Sequence, residues 1–84
     1  MYDVTTDQQA HAQLDALPAE ALGYLAEARA VLEVAPWNGE PINTGYPDAP
    51  VRTLLFGAHG EGMVVYLILE DRRQVDLLKI LWLS

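Results

Sequence analysis

The feature that most constrains the fold is a change of apolar period across a loop rich in proline and glycine. Before the loop, apolar residues recur at helical spacing, and after it they form short runs typical of strands. The loop, residues 36–50 (PWNGEPINTGYPDAP), holds four prolines and two glycines and is predicted to contain several turns. Helices followed by strands indicate an α+β domain with the helices packed on one face of a sheet.

Two helices are predicted before the loop, and almost no linker separates them. Residues 7–17 form the first helix, with Thr6 as its N-cap in a capping-box pattern. Residues 19–35 form the second helix, whose first turn accommodates Pro18 and which Pro36 ends. The pair is therefore expected to pack as a helical hairpin.

An antiparallel meander of three strands is predicted after the loop, within one domain over residues 1–84. The run MVVYLIL has no polar alternation, which is typical of a central strand buried on both faces. A short β-prone segment at the N-terminus is expected to extend the same sheet. In chain order we predict strands at residues 2–5, 51–56, 63–69 and 74–83, with turns at 57–62 and 70–73.

Charge and composition exclude several classes of function. The chain has no cysteine, which removes disulfides and thiol nucleophiles. Five basic residues against twelve acidic ones, a net charge of −7, argue against a protein that grips a phosphate backbone. Most of the basic residues follow position 51, so the sequence is compatible with a local basic patch on the sheet. Without a signal-peptide pattern or a membrane-length apolar run, we expect a soluble cytoplasmic protein.

The element order and several local segments resemble the RelE/ParE superfamily of bacterial toxins. The segments are YDVT, QLDALPAEA, VRTLLFG and GMVVYLILED. An actinobacterial group of small RelE-like proteins is similar through PWNGEPIN, VRTLLFG and YLILEDRRQVDLL. The resemblance implies an N-terminal strand, a two-helix hairpin and a three-stranded meander in one sheet. It also implies the toxin of a type II toxin–antitoxin pair, with an antitoxin partner, which acts as a messenger RNA endoribonuclease on the ribosome or poisons DNA gyrase.

In the ribonuclease branch, the resemblance implies basic residues on adjacent strands and a tyrosine or histidine near the C-terminus. Such groups orient the 2′-hydroxyl and neutralise the charge that develops on the phosphorane. Arg52 matches the basic position on the first strand after the loop, and Tyr66 matches a mid-strand tyrosine. Leu54 and Met63 stand where further basic residues are expected.

Six residues are therefore candidates for a catalytic site, and each also has a structural interpretation. They are Arg52, His59, Tyr66, Arg72, Arg73 and Lys79.

The cations predicted on strands, Arg52 and Lys79, would bind phosphate or an antitoxin carboxylate, or else pair with acidic residues at an edge of the sheet. The two arginines predicted in a turn, Arg72 and Arg73, would assist them, or else be solvated. The histidine lies between glycines and would donate a proton, or else be an ordinary loop residue. The tyrosine would belong to the core or to a hydrogen-bond network.

Two function hypotheses follow from these residues. The first is a toxin-type ribonuclease with a positive patch on the sheet. The second is a catalytically inactive RelE/ParE-like module that binds an antitoxin or gyrase through its sheet edge and helical hairpin, or a second copy of itself through an exposed apolar strand such as residues 74–83. The spacing of Asp7, His11 and Asp15 suits a metal or a solvated helix face with favourable Asp–His pairs. We expect no metal and no cofactor.

Overall fold

The computed structural model describes residues 1–43 and 45–83 of the chain. In this part of the chain, two helices lie on one face of a five-stranded sheet. The elements are β1 (Asp3–Thr6), α1 (Gln8–Asp15), α2 (Ala19–Val34), β2 (Glu40–Pro41), β3 (Val51–Phe56), β4 (Gly62–Leu69) and β5 (Gln74–Trp82). Short 3₁₀ turns, Pro36–Asn38 and Glu70–Arg72, follow α2 and β4. None of the described helices is long and apolar enough to cross a membrane.

The sheet has the order β1-β5-β4-β3-β2. The predicted antiparallel meander of β3, β4 and β5 and the N-terminal strand that extends it are both confirmed. β1 pairs in parallel with β5, so the sheet is mixed. The two-residue strand β2 was not predicted, because Glu and Pro are rare in strands and proline fits only at an edge. The rest of the predicted loop is irregular apart from its first 3₁₀ turn, and Thr44 lies outside the described residues.

The N-cap of α1 is Asp7, and the prediction of Thr6 was wrong by one residue. The Asp7 side chain accepts a hydrogen bond from the backbone N–H of Ala10 at 2.9 Å. Thr6 instead ends β1, where it pairs with Leu77. Both residue types cap helices well, so the parallel ladder to β5 decides which of them stays extended.

The core lies between α2 and the inner face of the sheet. The buried residues of α2 recur at helical spacing: Ala21, Leu25, Ala28 and Leu32. All of these except Ala21 belong to one core cluster with the inward-facing residues of β4 and β5: Val64, Tyr66, Ile68, Val75, Leu77 and Ile80. Because successive strand residues point to opposite faces, the residues between these ones face outward.

The outward-facing residues of β4 correct one prediction. The strand is central, as expected, but it is not buried on both faces. Both helices pack on the inner face, and no described helix covers the outer one. The residues left there are only half-buried: Met63, Val65, Leu67 and Leu69.

A β-bulge in β5 decides which side chains reach each face. Val65 pairs with Lys79 whereas Tyr66 pairs with Leu77, which leaves Leu78 as the extra residue. Strict alternation from Leu77 would have turned Lys79 into the core. The bulge therefore places its ammonium group outside and lets the next residue, an isoleucine, pack inside.

Replacing Gly23 by alanine is expected to stabilise the protein. Gly23 lies in the interior of α2, and a Cβ built there meets no atom within 4 Å. Since glycine in a helix costs roughly 0.5–1 kcal/mol relative to alanine, we expect Gly23→Ala to raise the free energy of unfolding in urea by about that amount.

The matched control is Gly62→Ala, which should destabilise the protein. A Cβ at Gly62 would lie 2.4 Å from Cζ of Phe56. The Phe56 ring is restricted in moving away because it stacks on the Trp82 ring across β4, with 5.8 Å between the two ring centroids. A Gly23→Ala variant that is less stable than the wild type would contradict the unobstructed helix surface seen here.

Candidate functional site

Arg52 is buried on the inner face of β3, with only 7% of its surface exposed. Its Nη1 donates to the carbonyl oxygens of Gly39 at 2.8 Å and Trp37 at 3.4 Å, and its Nη2 donates to that of Pro47. The guanidinium also lies over the Trp37 ring, 4.8 Å from the centroid. The side chain thus binds the loop main chain on both sides of β2.

Tyr66 lies beside Arg52 on the paired strand and is also committed to the loop. Its hydroxyl donates to the carbonyl oxygen of Pro36 at 2.6 Å. Burial raises the pKa of the Tyr66 hydroxyl, while the nearby charge of Arg52 lowers it in part. A Cβ on Gly39 would lie 1.9 Å from this hydroxyl oxygen, so only glycine permits the close approach. The structure therefore brings two of the six candidates together, but as supports of the loop.

A second cluster ties the N-terminus, the loop and the β4–β5 turn together around one carboxylate. Glu70 Oε1 accepts hydrogen bonds from the Tyr2 hydroxyl at 2.6 Å and from Trp37 Nε1 at 2.7 Å. Arg73 Nη1 donates to Glu70 Oε2 at 3.1 Å, and its guanidinium lies 4.3 Å from the Tyr2 ring centroid. We call these four residues the Glu70 cluster. The hydrogen bonds from Tyr2 and then Trp37 hold the pKa of the Glu70 carboxyl below its ordinary value of 4.5.

The remaining candidates lie far from one another. His59 is exposed in the β3–β4 turn, where its backbone N–H donates to Glu61 Oε1 at 2.7 Å. Arg72 is exposed in the β4–β5 turn, at the other end of β4. The strand between the two turns is roughly 25 Å long at the usual rise per residue. Lys79 is exposed on the outer face, opposite to the face that carries Arg52. The six candidates do not form one site.

The outer face of the sheet carries a continuous apolar surface. Leu55 is 64% exposed and Leu81 is 36% exposed, on the two strands that flank β4. With their outward-facing neighbours they form what we call the outer apolar stripe: Val51, Leu55, Met63, Val65, Leu67, Leu69 and Leu81. From the first to the last of its β4 residues the stripe is about 20 Å long.

Carboxylates border the stripe on both sides. Asp3 on β1 and Asp76 on β5 lie to one side, and Glu40 on β2 lies to the other. Asp76 accepts a hydrogen bond from Gln74 Nε2 at 2.7 Å, which confirms that both side chains share this face. Among the described strand residues that face outward, Lys79 is the one cation.

The acidic face of α1 is not arranged as a metal site. Asp7 caps the helix through its carboxylate, and His11 Nδ1 lies 3.5 Å from Asp15 Oδ2 on the exposed surface. Within residues 1–43 and 45–83, no group of three or more potential ligands is placed to hold a metal ion.

The proteins similar to this chain were found by comparing structures and not by comparing sequences. No protein-family model matches the sequence, and no curated protein sequence matches it. The isolated RelE toxin of E. coli superposes with a TM-score of 0.80, covering 100% of this chain and 86% of that chain at 10% identity. The fold is that of RelE.

Two further RelE structures support this assignment. A chain of the intact E. coli RelBE toxin–antitoxin complex gives a TM-score of 0.79 at 12% identity, covering 100% of this chain and 99% of that one. A RelE mutant bound to a RelB antitoxin peptide gives 0.78 at 13% identity, covering 99% of this chain and 84% of that one. Identities this low show the fold alone, so the activity must be argued from the residues of this chain.

Sequence reasoning did not identify the outer apolar stripe. The signal was present in the unbroken apolar run of β4, but a strand covered on both faces and a strand with an uncovered binding face give the same run. The Glu70 cluster left no signal at all, because its members are up to 71 positions apart in the chain.

Arg52→Ala is expected to destabilise the protein strongly. Three loop carbonyls lose a charged donor, so the free energy of unfolding in urea should fall by roughly 2–4 kcal/mol. Arg72→Ala removes the same side chain from an exposed turn and should change that free energy by less than about 0.5 kcal/mol. Equal effects of the two substitutions would show that Arg52 does not support the loop.

The Glu70 cluster predicts a dependence of stability on pH. Because the folded pKa of Glu70 lies below its unfolded value, its contribution is present above about pH 4.5 and is lost as the pH falls through the folded pKa. We therefore expect the stability difference between wild type and Glu70→Gln, measured by urea unfolding, to shrink from about pH 6 to pH 3. Tyr2→Phe, which removes the first donor, should remove part of the same dependence. A difference that is constant over this range would contradict the cluster.

Proposed function

We propose that this protein is the RelE-like component of a toxin–antitoxin pair and that it acts in the cytoplasm by binding protein through its outer sheet face. The observation that carries the proposal is the outer apolar stripe. Soluble proteins rarely leave a continuous apolar surface uncovered unless a partner binds there. At the centre of this stripe, Val65 and Leu67 lie on a strand whose main chain is fully paired, so their side chains are what a partner contacts.

The similar structures support an antitoxin as one such partner. Two of them contain RelE together with RelB, either as the intact complex or as an antitoxin peptide. The superposition with the chain from the intact complex covers 100% of the present chain and 99% of that one. By this analogy an antitoxin would bind the present chain. A protein target such as gyrase, which the superfamily resemblance of the sequence implies, would be bound when the antitoxin is absent.

The positions of the candidate cations do not support RNA cleavage as the activity. Stabilising a phosphorane requires several cations around one phosphate. Arg52 is buried and bound to carbonyl oxygens, which leaves Lys79 as the one strand cation on the outer face. The net charge of −7 also opposes the approach of RNA. The protein-binding hypothesis therefore has the stronger support.

Inducible expression in a bacterial host tests the proposal. We expect wild type and Lys79→Ala to arrest growth while messenger RNA stays intact, because a protein target is bound and no RNA is cut. Leu67→Lys places a charge in the middle of the stripe and should abolish the arrest. Growth curves and RNA integrity after induction are the measurements.

The matched control is Leu22→Lys. Leu22 is 45% exposed on α2, so the same substitution there leaves the outer face unchanged and should leave the arrest intact. RNA cleavage that Lys79→Ala abolishes would establish a ribonuclease instead. Normal growth on induction of the wild type would show that the protein is not a toxin.

A further inference from the structure

The acids that border the outer apolar stripe are placed almost symmetrically about β4. Asp3 lies on β1 and Glu40 lies on β2, each two strands away from β4 on opposite sides. At about 4.8 Å between strands, the two carboxylates stand roughly 20 Å apart across the sheet. Both side chains are exposed, and neither forms a side-chain hydrogen bond or ion pair with another residue of the described chain.

We infer that the occupant of the stripe is a basic amphipathic helix, with apolar residues on the face that meets the sheet and lysine or arginine on both flanks. This inference rests on the proposed function, because it names the chemistry of the partner that the outer face binds. It follows from the shape of the stripe, from its position on the face of the sheet and not at a strand edge, and from the charge around it.

The shape of the stripe suits a helix rather than an added strand. β4 is paired on both sides along its length. β2 pairs with β3 only at Arg52 and Thr53, and β1 pairs with β5 only over the first four residues of β5. Within the described chain, the outer edges of β3 and β5 are therefore free of a strand at the Leu55 and Leu81 end of the stripe. A strand added at either edge would lie beside the stripe and would not cover it. An element that covers the stripe must pack on side chains, as helices do on sheets. A length of about 20 Å corresponds to a helix of about 13 residues.

The spacing of the carboxylates suits cations on both flanks of such a helix. A helix with its side chains is about 10–12 Å wide, so long basic side chains on its flanks reach acids that stand about 20 Å apart. Along the strands, Asp3 is level with Leu69 and Glu40 is level with Val65. This offset of about 13 Å places the two cations roughly nine residues apart in the helix.

Charge disfavours the other occupants of an apolar face. A second copy of this chain would bring acid against acid and add its own net charge of −7, and like charges placed together at an interface are costly. The same sign of charge opposes the binding of nucleic acid. A partner of opposite charge would instead be drawn to the face and oriented on it.

Two designed helical peptides of 14 residues test the inference against the full chain. Both carry the same leucine face; one has lysine on both flanks and the other has glutamate. By isothermal titration calorimetry, we expect the lysine peptide to bind at least tenfold more tightly, with an affinity that falls as salt is added. Leu67→Lys should abolish this binding.

A pair of double variants with equal net charge locates the effect. Asp3→Asn combined with Glu40→Gln should weaken the lysine peptide roughly tenfold, as expected for two rim charge pairs. Glu20→Gln combined with Glu27→Gln removes two exposed acids from α2 and should leave the affinity unchanged.

The possible failures are distinguishable. Equal binding of the two peptides, or equal effects of the two double variants, would overturn the basic partner and leave the protein-binding face in place. No binding of either peptide, or binding that Leu67→Lys does not affect, would contradict the proposed function itself. A wild-type dimer in analytical ultracentrifugation that Leu67→Lys dissociates would assign the stripe to a second copy and overturn the inference.

Discussion

The interaction on which the rest of the structure depends is the set of hydrogen bonds between the buried guanidinium of Arg52 and the main chain of the loop. A long loop of turns has few hydrogen bonds of its own, and its carbonyl groups need donors wherever they are buried. Arg52 supplies several donors in a fixed planar geometry, and the Tyr66 hydroxyl supplies another. These hydrogen bonds fix the connection from the helices to the sheet and hold both side chains against the loop.

Because Arg52 faces inward, its charge is absent from the outer face of the sheet. A sheet covered by helices on one side presents its other side to a ligand or partner, and the residues there set the function of the fold. In this chain they are aliphatic along the centre and acidic at the borders, with Lys79 added by the bulge in β5. In this RelE-like fold, Arg52 is turned inward while Asp3, Asp76 and Glu40 are turned outward, and this arrangement is the basis on which we propose a protein partner.

The sequence predicted the elements well because their signals are local. The helical period before the loop, the turns after it and the apolar run of β4 each depend on neighbouring residues, and the three long strands begin and end within one residue of their predicted bounds. The predictions were wrong or incomplete where the local structure depends on pairing with another segment of the chain. Asp7 rather than Thr6 caps α1 because β1 pairs with β5, and β2 exists because Arg52 holds the loop beside β3.

The sequence by itself determined the order of elements, the acidic balance and the supply of apolar residues, since these follow from composition and short-range spacing. Only the tertiary structure decided which face each side chain occupies. Arg52 stood out in the sequence as a charge within an apolar strand, and that pattern is the same whether the charge meets a ligand or the protein's own carbonyls. The loop that precedes β3 supplies those carbonyls, and the bulge in β5 forms against the neighbouring strand β4. The direction of each charge therefore depends on how separate elements pack together in the fold.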